Sequence, residues 1–317
     1  MKLLIARPMT AAVEARARAE FDTEIRGNTA PMTEAEMLRA LREFDVVMPT
    51  LGDMFSAGVF AQVTEPRCRL LANFGVGYNH IDVAAARGAG VAVTNTPGAV
   101  TDATADIAMT LLLTTARRAG EGERLVRSGR WEGWHPTQML GQHVTGKHVG
   151  IVGLGRIGQA IARRCHFGFG MQVSFVARSD KDVDFPATRM DSLAALAGAV
   201  DFLVVAVPGG AETRHLIDAQ VLAAMKPSGI LVNIARGEVV DEAALISALS
   251  ARQIAGAGLD VYEFEPQVPE VLRAMEQVTL LPHLGTATEE VRSSMGHMAL
   301  DNVAAFAAGR DLPNPVD

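Results

Sequence analysis

The stretch from Lys147 to Ser179 constrains this chain more than any other. It reads Lys-His-Val-Gly-Ile-Val, then Gly153-Leu-Gly155-Arg-Ile-Gly158, then a helical run and a second apolar segment, Met171 to Ala177. A buried strand, a Gly-x-Gly-x-x-Gly turn and a helix opening at that turn form a site for a pyrophosphate. Gly153 permits the tight turn, Gly155 lets the backbone approach the phosphates, and Gly158 lets the helix pack closely on the strand. The helix N-terminus then offers free N–H groups and the positive end of its dipole. A glycine pattern without this context is an ordinary strand–loop–helix turn; here both flanks match, and a dinucleotide is expected.

The rest of the chain repeats the same grammar. Strands are expected at Lys2–Ala6, Thr23–Arg26, Asp45–Met48, Arg69–Asn73 and Val91–Thr94, with helices through Ala11–Phe21, Gly58–Val63 and Ile81–Arg87. Thr33, with Glu36 three residues on, is a capping box for another helix. Pro97-Gly98 breaks the alternation and marks the first crossing between domains. Thr101–Arg118 reads as a long buried helix, and residues 128–146 as an irregular arm holding both tryptophans. After the glycine turn come strands Phe202–Val207, Gly229–Asn233, Gly256–Asp260 and Val278–Leu281, with helices Asp218–Met225 and Glu242–Ser250. A final amphipathic helix runs from Gly285 to Gly309. Strand and helix alternating at short spacing imply parallel sheets covered on both faces.

Totals exclude several classes. At 317 residues two domains are expected. A formal charge of −7 supplies no basic face for nucleic acid. Cys68 and Cys165 are too few for a disulfide framework and lack zinc spacing, so both are read as buried thiols and no metal is expected. The first eight residues are too short an apolar run for a signal peptide, and no run of about 20 apolar residues suggests a membrane span. A soluble, cytoplasmic α/β protein with no membrane or nucleic-acid partner is the expectation.

Such sheets bind ligands beyond the carboxyl ends of their strands. Three polar residues are expected there: Arg236 in Asn-Ile-Ala-Arg-Gly-Glu, Glu265 in Asp-Val-Tyr-Glu-Phe-Glu-Pro, and His283 in Leu-Pro-His-Leu-Gly. Singly, each reads as a surface charge or a satisfied loop histidine. Jointly, behind a dinucleotide turn, they make a carbonyl-reduction site. The guanidinium can hold a substrate carboxylate through two parallel hydrogen bonds. The imidazolium can protonate the alkoxide that forms as hydride arrives, and the carboxylate orients the histidine and favours its protonated form.

With these motifs in hand, the chain resembles the D-isomer-specific 2-hydroxyacid dehydrogenases, and within them the bacterial glyoxylate/hydroxypyruvate (2-ketogluconate) reductases. The likeness spans nearly the whole length. It rests on Asn73-Phe-Gly-Val-Gly-Tyr-Asn79, Thr94-Asn-Thr-Pro-Gly98, Thr101-Asp-Ala-Thr-Ala-Asp106, the glycine turn, Asn233-Ile-Ala-Arg-Gly237, Asp260-Val-Tyr-Glu-Phe-Glu-Pro266 and Pro282-His-Leu-Gly285. The subgroup signal is the Trp131-Glu-Gly-Trp-His-Pro136 arm and His166-Phe-Gly-Phe. Leu284-Gly-Thr286 departs conservatively from the Ile-Gly-Ser of relatives.

That resemblance implies two Rossmann-like, flavodoxin-like domains with doubly wound parallel sheets and a cleft between them. Residues 1–98 with 286–317 would form a discontinuous substrate-binding domain, and 99–285 the dinucleotide-binding domain. Arg236, Glu265 and His283 would be catalytic. Val76 and Gly77 would hold the substrate carboxylate through their backbone, and Trp134 would close a small pocket. Thr104, Arg156, Ile157, Val207, Pro208, Thr213, Ile234, Ala235, Asp260, His283 and Gly285 would line the cofactor with the glycines. A homodimer is implied, reducing small 2-oxo acids: glyoxylate, hydroxypyruvate and, as a further candidate, 2-ketogluconate. Two other readings stay open: a dinucleotide-sensing corepressor-like binding protein, which would be expected to carry long disordered tails, and a related formate or phosphite dehydrogenase.

The cofactor is read from the residues themselves. An NAD site of this type places an acid about 20 residues past the glycines, where it accepts from the ribose hydroxyls. Here the second strand runs into Arg178-Ser179 with no acid at its end. An arginine there pairs with a 2′-phosphate, whereas a carboxylate would repel it. NADPH is therefore expected over NADH, the alternative being that Arg178 points to solvent and Asp180 takes the ribose.

Overall fold

A computed structural model describes residues 1–179 and 181–316; Asp180, the alternative ribose partner, and Asp317 lie outside the described residues. The chain divides into two compact units, Met1–Val100 with Thr286–Asp317, and Thr101–Gly285.

The first unit contains β1 (Lys2–Ile5), α1 (Ala11–Glu20), β2 (Asp22–Ile25), α2 (Glu34–Glu43), β3 (Val46–Met48), α3 (Ala57–Ala61), β4 (Leu70–Ala72), α4 (Val83–Gly88) and β5 (Ala92–Thr94). The strands form one parallel sheet in the order β2-β1-β3-β4-β5. Side chains alternate across it. Leu3 and Ile5 pack with Val46, Met48 and Leu70 beneath Val13 and Ala17 of α1 and Ala299, Leu300 and Val303 near the C-terminus. Leu4 and Ala6 turn to the other face, with Val47 and Leu71 beneath Met37, Ala40 and Leu41 of α2. Both faces are apolar, as a covered parallel sheet requires. The capping box at α2 forms as expected: Thr33 Oγ1 accepts from Glu36 N–H and Glu36 Oε2 accepts from Thr33 N–H.

The second unit opens with α5 (Thr101–Ala116) and α6 (Ala119–Arg127), followed by residues 128–146, which hold no helix or strand. Then come β6 (His148–Val152), α7 (Arg156–Arg163) with a π-helical turn over Arg164–Gly168, β7 (Gln172–Val176), β8 (Thr188–Arg189), α8 (Leu193–Ala199) and β9 (Phe202–Val205). They are followed by α9 (Ala219–Ala224), β10 (Ile230–Asn233), α10 (Glu242–Ser250), β11 (Gly256–Leu259), α11 (Glu270–Ala274) and β12 (Val278–Leu280). The seven parallel strands order as β12-β11-β10-β9-β6-β7-β8. Val149, Ile151, Phe202, Val204, Ile230 and Val232 face Ala108, Leu111 and Leu112 of α5 and Ile161 of α7. Val152, Leu203, Val205, Leu231 and Leu259 face Leu196, Leu222, Leu245 and Leu249 of α8, α9 and α10. Helices thus cover both faces, the doubly wound arrangement.

The last helix, α12 (Glu289–Ala307), belongs to the first unit. It starts four residues after the Gly285 expected from sequence. Thr288 is the cap, accepting from Val291 N–H at 3.2 Å, whereas Gly285 N–H is bound to Asp260. Cys68 and Cys165 are buried, and burial pushes both thiols up to about 12. No helix among the described residues is long and apolar enough to cross a membrane.

Candidate active site

The glycine turn lies at the carboxyl end of β6, the strand flanked by β7 and β9. Gly153 has φ +94°, and a Cβ there would come within 2.7 Å of Val207 Cγ1. A Cβ on Gly158 would lie 2.1 Å from the Gly153 carbonyl oxygen, so only glycine lets α7 approach β6 this closely. A Cβ on Gly155 would meet nothing within 4 Å. The backbone at the start of α7 is thus bare and opens on free space, which fits a pyrophosphate seated on the helix N-terminus. Arg156 is exposed there, while Ile157 is half-buried and packs on the core.

Val207, Pro208 and Thr213 lie on the loop after β9, where Thr213 Oγ1 donates to the Pro208 carbonyl at 2.7 Å. Ile234 and Ala235 are buried at the end of β10. Beyond β7, Arg178 and Ser179 are both exposed, and Arg178 Nη1 pairs with Glu212 Oε2 at 3.0 Å.

Three residues converge past the ends of β10, β11 and β12. Arg236 is launched by Asn233, whose side chain donates to the Arg236 carbonyl and accepts from Ala235 N–H, each at 3.0 Å. Burial pulls its guanidinium below the ordinary value, against the charges of Glu265 and Glu238. His283 stands at φ +55°, a left-handed conformation uncommon outside glycine, and its Nδ1 lies 2.9 Å from Glu265 Oε2. Glu265 Oε1 also accepts from Tyr262 N–H at 3.1 Å. Burial pushes the Glu265 carboxyl upward, but the hydrogen bond and charge of His283, with Tyr262 N–H and Arg236, outweigh it. The carboxyl is held below the usual carboxylate range. With Nδ1 engaged by Glu265, His283 Nε2 is the nitrogen left to face a substrate.

The strained histidine turn is braced from below. Asp260 is buried; its carbonyl accepts from His283 N–H at 2.9 Å, and its carboxylate accepts from Leu284 N–H at 2.6 Å and Gly285 N–H at 2.8 Å. Burial pushes its carboxyl above the ordinary range, the two N–H donors and His283 opposing this. Thr104 Oγ1 donates to the Gly285 carbonyl at 3.1 Å, and Tyr262 Oη to that of Leu281 at 2.8 Å. Thr104 and Asp260, read from sequence as cofactor-lining, therefore have their polar atoms committed to this turn. Tyr262 went unread as a site residue; its signal was a tyrosine with an otherwise buried ring just past a strand.

In the first unit, Val76 and Gly77 follow β4 on a loop whose carbonyls are fixed. Asn73 Nδ2 donates to Gly75 O at 3.1 Å and Gly77 O at 3.0 Å, and Asn95 Nδ2 to Val76 O at 2.9 Å. His80 Nε2 lies 3.0 Å from Asn73 Oδ1. The sequence reading missed this clasp, although an Asn closing a strand is a usual source of such backbone bonds. Trp134 stands on the 128–146 arm, 80% exposed.

A glycine-rich phosphate turn beside an arginine, a histidine and a carboxylate at strand ends defines a dinucleotide-dependent oxidoreductase. The family model of the D-isomer specific 2-hydroxyacid dehydrogenase NAD-binding domain matches residues 109–285. The glyoxylate reductase of Thermococcus kodakarensis is 44% identical over 94% of this chain and 90% of its own. The glycerate dehydrogenase of Hyphomicrobium methylovorum is 36% identical over 98% and 97%. The crystal structure of the NADPH-dependent glyoxylate/hydroxypyruvate reductase of Sinorhizobium meliloti, in complex with NADP and malonate, matches with a TM-score of 0.88. It is 36% identical, over 99% of this chain and 96% of that one. The chain belongs to the D-isomer specific 2-hydroxyacid dehydrogenase family. It is an NAD(P)-binding oxidoreductase.

Proposed function

We propose that this chain reduces glyoxylate and hydroxypyruvate, with 2-ketogluconate as a further candidate, to D-2-hydroxy acids using NADPH. The observation that carries the reading is the His283 Nδ1 to Glu265 Oε2 contact at 2.9 Å beside the half-buried Arg236. The bound nicotinamide supplies the hydride. Arg236 holds the substrate carboxylate through paired N–H donors, aligning the adjacent carbonyl. His283, oriented by Glu265, gives its Nε2 proton to the carbonyl oxygen as negative charge develops there. Val76 and Gly77, whose carbonyls are tied to Asn73 and Asn95, are the first unit's candidates for binding substrate through their backbone N–H groups. In this reading the first unit is the substrate-binding domain and the second the dinucleotide-binding domain.

Glyoxylate reductase among the relatives supports the substrate class, and the NADP-bound relative supports the cofactor class. NADPH preference rests on Arg178 beyond β7, where a 2′-phosphate would find a guanidinium. Dimerisation through the arm is part of the same proposal, since Trp131, Trp134 and Leu140 are all exposed there. Steady-state kinetics with glyoxylate, hydroxypyruvate, 2-ketogluconate, pyruvate and phenylpyruvate, each with NADPH and NADH, test the reading. Highest kcat/KM for the small acids with NADPH is the expected result; highest kcat/KM for phenylpyruvate, or equal use of NADH, contradicts it.

A further inference from the structure

The Arg178–Glu212 pair joins two loops that flank the glycine turn. Arg178 follows β7 and Glu212 follows β9, and these strands lie on either side of β6. The pair thus spans the carboxyl end of β6, beside the bare backbone at Gly155. Arg178 Nη1 and Glu212 Oε2 stand 3.0 Å apart with side chains 87% and 82% exposed, so the contact itself opens easily.

The backbone under Glu212 does not move as easily. Gly210 N–H donates to Glu238 Oε1 at 3.1 Å, and Thr213 Oγ1 donates to Pro208 O. His215 N–H donates to the Glu238 carbonyl at 2.8 Å, His215 Nε2 lies 2.8 Å from Glu263 Oε1, and Arg214 Nη2 donates to the same oxygen at 3.0 Å. Both ends of the Glu212 loop are therefore anchored. When an anion takes Arg178, the Glu212 side chain can swing away, but its charge stays within a few ångströms.

We propose that Glu212 is a specificity-setting residue that competes with the cofactor's 2′-phosphate for Arg178 and so moderates the preference for NADPH. The inference rests on the NADPH reading above. A ribose bearing two hydroxyls meets no such penalty, and its hydroxyls can donate to the same carboxylate. Glu212 thereby stands, from the opposite wall, where the acid missing at the end of β7 would act. Arg178 attracts the phosphate and Glu212 limits that attraction.

The test is the dissociation constant of each cofactor, read by nucleotide fluorescence without substrate, for the wild type, Glu212→Gln and Arg178→Ala. Glu212→Gln should tighten NADPH by roughly two- to fivefold, the scale of one like-charge contact at an exposed site, and leave NADH unchanged or weaker. Arg178→Ala should weaken NADPH at least roughly tenfold and shrink the effect of Glu212→Gln in the double variant, where the competition for Arg178 is gone and only the like-charge repulsion remains. Unchanged NADPH binding in Glu212→Gln, with Arg178→Ala still weakened, overturns the role of Glu212 and leaves the NADPH reading standing. Unchanged NADPH binding in Arg178→Ala overturns both.

Discussion

Replacing Glu265 with glutamine isolates what its charge does for His283. The substitution keeps the shape of the side chain but gives it one acceptor and one donor in place of two acceptors. In the wild type, Oε1 accepts from Tyr262 N–H and Oε2 faces His283 Nδ1. Whichever way the amide turns, its NH2 meets either Tyr262 N–H or the protonated imidazole. A hydrogen bond to a charged group contributes about 1.5–3 kcal/mol. The two side chains are 30% and 31% exposed, so solvent screening reduces this to about 1–2 kcal/mol. A tenfold change in rate corresponds to about 1.4 kcal/mol. The kcat/KM for glyoxylate reduction should therefore fall by about tenfold in Glu265→Gln. NADPH binding should be unchanged. A kcat/KM equal to that of the wild type would refute the pairing and remove Glu265 from the mechanism.

Three further outcomes follow from the geometry. Arg236→Lys keeps the charge but loses the planar pair of donors, and should raise KM for glyoxylate ~10-fold or more while leaving NADPH affinity alone; a shift in NADPH affinity of the same size would place Arg236 in the cofactor site. Gly158→Ala puts a Cβ 2.1 Å from the Gly153 carbonyl, and should cost about 1–3 kcal/mol of stability and weaken NADPH at least ~10-fold; normal thermal melting and titration would contradict the packing argument. Arg26, the Thr33 N–H and the Thr33 hydroxyl hold the Glu36 carboxyl, ordinarily 4.5, down to about 2. Its contribution is complete above 4.5 and is lost as pH falls toward about 2, so the melting difference between wild type and Glu36→Gln should shrink over that interval and not at higher pH.

The parts of this molecule that were legible in the sequence are those with a period or a fixed spacing. Near-continuous apolar runs such as His148–Val152 and Phe202–Val205 announced buried parallel strands, and Gly153, Gly155 and Gly158 announced the phosphate turn. Elements without such signals escaped. The two glycines in Ala119–Arg127 mask α6, β8 is two exposed residues long, and the π-helical turn at Arg164–Gly168 extends α7 with no distinguishing residue. Arg236, Glu265 and His283 could be picked out because each follows a strand. Asp260 and Thr104 could be picked out as well, but only as cofactor-lining residues; that they and Tyr262 act through the backbone around His283 depends on the ends of β11 and β12 meeting the start of α5.

The central claim is that His283 gives the proton to the reduced carbonyl while the dinucleotide binds independently of it. A single measurement separates the two: NADPH oxidation in a single turnover with glyoxylate for His283→Ala, alongside its NADPH titration. The account predicts a rate reduced by at least ~10²-fold with a dissociation constant within about twofold of the wild type. A His283→Ala enzyme that oxidises NADPH at a rate close to that of the wild type would contradict it.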